Sequence, residues 1–166
     1  MAFIDTFLPE FDRETGTTRR LLERVPDGAL AWQPHERSMT LGRLSAHLAH
    51  IPNWTAHVMG HDSFDLATAD DKARDPMRVA ELLAVFDRNV AAARTRIAGR
   101  LHGELRAPWT LTRDEQDLMT LPKFVMPRHF LLNHLIHHRG QLSVYLRMHD
   151  VPIPAIYGPS ADDRAL

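Results

Sequence analysis

His134 and His138 stand four residues apart in a stretch, Phe130 to Met148, whose apolar residues recur at helical spacing. On a helix the two imidazoles are offset by about 40° around the axis, so both can address one cation from the same face. Neutral imidazole is the commonest protein ligand for divalent transition metals. Spacing by itself is a weak signal, because eleven histidines in 166 residues generate roughly 0.7 such pairs at random. His57 and His61 are indeed a second pair, but they flank Gly60 at the end of a helical stretch, where solvated side chains are expected. His134 and His138 instead lie within the apolar face of Phe130, Leu131, Leu135, Leu142, Tyr145 and Leu146.

A third ligand has to come from another helix. His47 lies in the apolar stripe of Leu44, Leu48, Ile51 and Trp54, and an imidazole buried there needs a partner. A lone inward histidine is more often a core group bonded to a carbonyl or carboxylate. Three inward histidines on packed helices favour a ligand set. His137 points about 100° away from His138 and reads as a supporting or interface residue. His50 lies off the stripe and is read as a ligand, a supporting donor or an exposed residue at the site mouth. Arg139 and Gln141 flank the pair and are expected on a solvated face or at the rim, where either could bond a substrate carboxylate. Trp54 and Tyr145 are the aromatic candidates for the same rim.

The elements that must position these residues are helices. Phe3, Phe7, Phe11, Leu22 and Val25 predict a first helix over about 3–24, ending before Pro26. Thr40 is a candidate cap for a second helix reaching about Gly60, with Pro52 kinking or unwinding it. Asp75 and Pro76 read as the cap and first residue of a third, whose stripe runs through Val79, Leu82, Leu83, Phe86, Val90, Ile97 and Leu101. Pro127 suits the first turn of the fourth, which extends to about Met148; Val151 to Pro159, with three prolines, must run extended. The period is lost over 102–124, where Trp109 to Thr112 and Leu118 to Leu121 could be short strands around Arg113 to Asp117, or the whole could be a functional loop. Together these predict one all-α domain over 1–166, a four-helix bundle with long connecting loops.

Composition narrows the chemistry. The chain has no cysteine, so it carries no disulfide, thiol nucleophile or thiolate ligand, and a transition metal must sit on nitrogen and oxygen. Lys plus Arg is 20 against 21 for Asp plus Glu, which supplies no cationic field for nucleic acid or an anionic membrane. The first residues lack a basic segment and no apolar run is long enough for a membrane span, so a cytoplasmic protein is expected. A chain of this length buries enough surface to fold without a metal, so a metal would serve chemistry.

The stretch Leu41-Gly-Arg-Leu-Ser-Ala-His47-Leu-Ala-His-Ile-Pro-Asn-Trp54, followed by Asn133-His134-Leu-Ile-His-His138-Arg-Gly-Gln141-Leu, resembles the DinB/YfiT-like family of metalloenzymes. The likeness extends to Trp32-Gln-Pro-His35-Glu-Arg-Ser-Met39 and to Val151-Pro-Ile-Pro-Ala-Ile-Tyr157-Gly-Pro-Ser160. It implies an up-down-down-up bundle, commonly a homodimer, with a divalent ion on one histidine of the second helix and two of the last. These match His47, His134 and His138. Better-characterised relatives look like metal-dependent transferases and isomerases that use low-molecular-weight thiols. Three neutral ligands leave a fourth position open, and a dipositive ion acidifies the thiol or water that takes it. The expected function is therefore a Zn2+- or Ni2+-dependent transferase acting on small molecules with a thiol cosubstrate. A hydrolase on the same site and a non-enzymatic metal-binding or stress protein are the alternatives.

Overall fold

The computed structural model describes residues 3–68, 78–101 and 103–164. Five α-helices are present among them: α1 (Phe3–Leu22), α2 (Leu41–His50), α3 (Trp54–Gly60), α4 (Val79–Ala98) and α5 (Asn133–Met148). Helices α1 and α2 each pack against both α4 and α5. Their shared interior is filled by Phe7, Phe11, Leu22, Leu44, Leu48, Leu82, Phe86, Leu135 and Leu142, all buried. The apolar stripes read from the sequence are thus the faces that meet, as burial of apolar surface requires. Leu101 is an exception: it lies beyond the end of α4 and is 71% exposed. The Asp75-Pro76 start expected for that helix lies outside the described residues.

Thr40 caps α2, its hydroxyl accepting the Arg43 N–H at 3.0 Å. The second predicted helix is broken where Pro52 stands: α2 stops at His50, a 3-10 turn spans Ile51–Asn53, and α3 resumes at Trp54. Proline has no N–H to continue the ladder and its ring crowds the preceding turn. The buried Asn89 amide of α4 donates to the Ala49 carbonyl at 2.9 Å, which ties the end of α2 to α4. The last helix also begins differently from expectation. Pro127–Leu132 is a π turn, with the Asn133 N–H bonded to the Arg128 carbonyl, and regular α-helix starts only at Asn133.

The expectation of a purely α-helical fold is corrected by a three-stranded sheet in the order β1 (Ser63–Asp65), β2 (Pro108–Arg113), β3 (Gln116–Pro122). The two strands weighed for 102–124 form an antiparallel hairpin from Pro108↔Pro122 to Arg113↔Gln116, while β1 adds in parallel to β2. The two turn residues, Asp114 and Glu115, both have positive φ, 50° and 64°, as a two-residue hairpin turn with the proper twist requires. Neither is glycine. Their N–H groups point at the Asp65 carboxylate, at 3.2 and 3.3 Å, which compensates for the unfavourable backbone region. Trp109 is fully buried and its indole N–H donates to the His57 carbonyl at 3.3 Å, anchoring the hairpin to α3.

Candidate metal centre

Helix α2 carries His47 on the same side as Leu44, Leu48 and Ile51, which are buried, and the imidazole is half-buried where α2 faces α5. His134 and His138 occupy the first two turns of α5. The three rings meet with centroids 4.9 Å apart for His47 and His134, 4.6 Å for His47 and His138, and 4.7 Å for His134 and His138. One nitrogen from each lies within 4.8 Å of the other two. His47 Nε2 and His134 Nε2 are 3.0 Å apart. A tetrahedral ion with metal–nitrogen bonds near 2.0–2.1 Å needs its ligand nitrogens about 3.4 Å from one another. The observed spacing brackets that value, so small ring rotations suffice to close the set around an ion.

The tautomer of His138 is fixed from behind. Its Nδ1 lies 2.7 Å from Gln141 Oε1; the amide oxygen only accepts, so Nδ1 carries the proton and Nε2 keeps its lone pair for the cluster. Burial above all, with electrostatic repulsion from His138, His50 and Arg43 against a protonated ring, pushes the His47 pKa down to about 4. Burial also lowers that of His138, against the Gln141 hydrogen bond, which raises it. Both rings are therefore neutral near pH 7, the form that ligates.

The remaining sequence candidates separate by position. His50 and His137 are exposed; the His137 ring lies beside His138, with centroids 4.8 Å apart, and neither belongs to the cluster, the one metal-competent group among the described residues. Gln141 is exposed and bonds His138 as described. Tyr145 meets Trp32 edge-on at 5.5 Å, two turns beyond His138. Trp54 stacks on Phe130 at 5.7 Å. His57 is not solvated as expected: it is half-buried with its ring 4.1 Å from Phe64, whereas His61 is exposed.

Arg139 is the clearest correction. It is 1% exposed rather than on a rim, and its guanidinium bonds Glu14 Oε2 at 2.7 Å, the Glu14 carbonyl at 3.0 Å and the Tyr157 hydroxyl at 2.7 Å. Tyr157 also donates to Glu14 Oε2 at 2.7 Å. A position about 100° around the helix from His138 faces α1, not solvent. Glu14 was not singled out from the sequence, and Tyr157 entered only within the stretch that carries the family resemblance. The available signal was a carboxylate inside the stripe of Phe7, Phe11 and Thr18, since a buried charge requires a partner of opposite sign.

Three imidazoles gathered between two helices form a cluster that could hold a metal ion, as facing helices do in other bundles. The model of the DinB family matches residues 1–165, and the chain belongs to that family. It is 28% identical over 170 residues to the uncharacterized protein YrdA of Bacillus subtilis (strain 168), covering 98% of this chain and 92% of that protein. Among solved structures it is similar to a DinB-like protein from Bacillus cereus ATCC 10987, with a TM-score of 0.71 at 21% identity over 91% of this chain and 95% of the other. It is also similar to the DinB-like protein YjoA of Bacillus subtilis, with a TM-score of 0.67 at 18% identity over 95% and 98% of the two chains. Among the described residues no helix is long and apolar enough to cross a membrane.

Proposed function

We propose that His47, His134 and His138 hold one divalent ion, Zn2+ or Ni2+, and that the protein is a transferase joining a low-molecular-weight thiol to a small electrophile. The observation that carries this reading is the convergence of three imidazole nitrogens within 4.8 Å, with the His138 ring oriented by Gln141. Three protein ligands leave a further position open, the arrangement of catalytic rather than structural sites. When bound there, a divalent ion acidifies the thiol or water that takes the open position. The chain has no cysteine, so sulfur must arrive with a cosubstrate. In the addition, a bond forms between sulfur and the electrophilic carbon, and the thiol proton ends on the neighbouring atom of the product. The chain's own part is to hold the ligand set, keep His47 and His138 neutral by burial and orient His138. We place this activity in a cytoplasmic homodimer of single-domain chains.

The test is turnover of zinc- or nickel-loaded protein with a panel of small thiols and electrophiles, beside a panel of hydrolysable esters. Thiol-dependent turnover that disappears in His138→Ala is the expected result. Ester hydrolysis without thiol dependence would favour the hydrolase, and no turnover with either panel would favour a binding or stress protein.

A further inference from the structure

The helix faces that meet at His47 and His134 meet again one layer further on. Trp54 follows His47 by seven residues, across the 3-10 break at Ile51–Asn53, and Phe130 precedes His134 by four, on the π turn that leads into α5. The two segments run in opposite directions through these pairs, and the second pair is also in contact: the rings of Trp54 and Phe130 stack at 5.7 Å with planes 14° apart. Phe64 meets the edge of Trp54 at 5.4 Å, and Trp109 supports Phe130 from the core at 5.9 Å. Trp54, Phe64, Phe130 and His57 are each half-buried; Trp54, Phe64 and Phe130 pack against the core and keep part of their surface accessible.

Two further features mark this layer. Phe130 sits in the π turn Pro127–Leu132, a rare geometry that recurs at functional sites and here sets the rotation of Phe130 relative to His134. A cavity of about 10 Å³ beside the rings, lined in part by Trp54, Val58, Met126, Phe130 and Leu131, is no larger than a single water needs. None of the residues lining it is charged.

We infer that Trp54 and Phe130 are specificity-determining residues that seat a flat aromatic group of the small molecule whose other end reaches the three-histidine centre. The inference rests on the metal-centre reading above. Offset or edge-on ring contacts at 4.5–7 Å favour an aromatic over a saturated ring by about 2- to 12-fold beyond the area each buries. A stacked Trp–Phe pair offers that selection, whereas an aliphatic wall would not.

The test uses zinc-loaded protein carrying 5-fluorotryptophan, with the Trp54 fluorine resonance assigned through Trp54→Phe. It is titrated with benzyl mercaptan and with cyclohexylmethanethiol, which has a ring of similar size but no π face. The expected result is that benzyl mercaptan shifts the Trp54 resonance, leaves Trp32 unmoved and binds about 2- to 12-fold more tightly than the saturated thiol. Phe130→Leu, the milder change, and Trp54→Leu should each abolish that preference while zinc stoichiometry stays at wild type and the helical circular dichroism is retained. Equal affinities, a shift at Trp32 in place of Trp54, or a preference that survives both substitutions would overturn the inference. Zinc analysis of the same samples separates the two readings. Zinc bound without aryl preference overturns the aromatic seat alone, whereas absence of zinc overturns the metal centre and the seat together.

Discussion

His138 uses both ring nitrogens: Nδ1–H is fixed on Gln141 and Nε2 is left for the cluster. Partners of this kind typically account for 10- to 100-fold in metal affinity, because they hold the tautomer and ring angle that ligation needs. Gln141→Leu should therefore weaken zinc binding by about 10- to 100-fold with little loss of stability, since Gln141 is exposed. Competition with a chromophoric chelator measures this directly, and an unchanged affinity would show that Gln141 does not orient the ring. At this scale the spacing of His134 and His138 and the stripe around His47 were legible in the sequence, because helical periodicity is a local property. The role of Arg139 was not, because its partner Glu14 lies 125 positions away and only the packed structure brings the two together.

The Arg139–Glu14 ion pair joins α5 to α1, and Tyr157 draws the segment after α5 onto both. Its side chains are 1% and 3% exposed, so each charge depends on the other for compensation. Glu14→Gln leaves the guanidinium unpaired in the interior and should cost about 3–5 kcal/mol in a urea unfolding experiment. A loss below about 1 kcal/mol would show that the pair is not what holds α1 to α5. The pH dependence follows from the Glu14 carboxyl. Burial raises its pKa, but the Tyr157 and Arg139 hydrogen bonds and the Arg139 charge outweigh that, and it ends below its ordinary value of 4.5. The unfolded chain then takes up this proton first as pH falls. The Glu14 contribution is full above about pH 4.5, shrinks as pH drops through the folded value, and should be missing from the acid limb of Glu14→Gln.

The long helices were legible as elements because each repeats its apolar positions over several turns. The break at Pro52 was legible from the chemistry of proline. Strand β1 was not, since three residues show no period and its partner β2 lies more than forty positions away. The hairpin turn lacked the Asn-Gly or Asp-Gly signature because Asp65 supplies from outside the turn what glycine usually supplies within it. The π turn was hidden behind Pro127, which suits the start of an ordinary helix equally well.

For the whole molecule, the helical periodicity pointed to a mostly helical fold, and the family match over residues 1–165 shows the family. Val144 and Met148, four residues apart on α5, are 58% and 56% exposed, apolar surface of the kind that subunit contacts cover. Sedimentation equilibrium at micromolar concentration should give twice the 18.9 kDa chain mass; a particle of one chain mass would contradict the homodimer. The central claim is that three particular imidazoles form one metal site. Its most direct measurement is the metal content, by mass spectrometry, of protein purified without chelator or immobilised-metal column, for wild type and four alanine variants. The account predicts one ion per chain in wild type and in His137→Ala, and loss of that ion in His47→Ala, His134→Ala and His138→Ala with the helical circular dichroism retained. A wild-type chain that takes up no divalent ion, or a site emptied by His137→Ala and kept by His138→Ala, would contradict it.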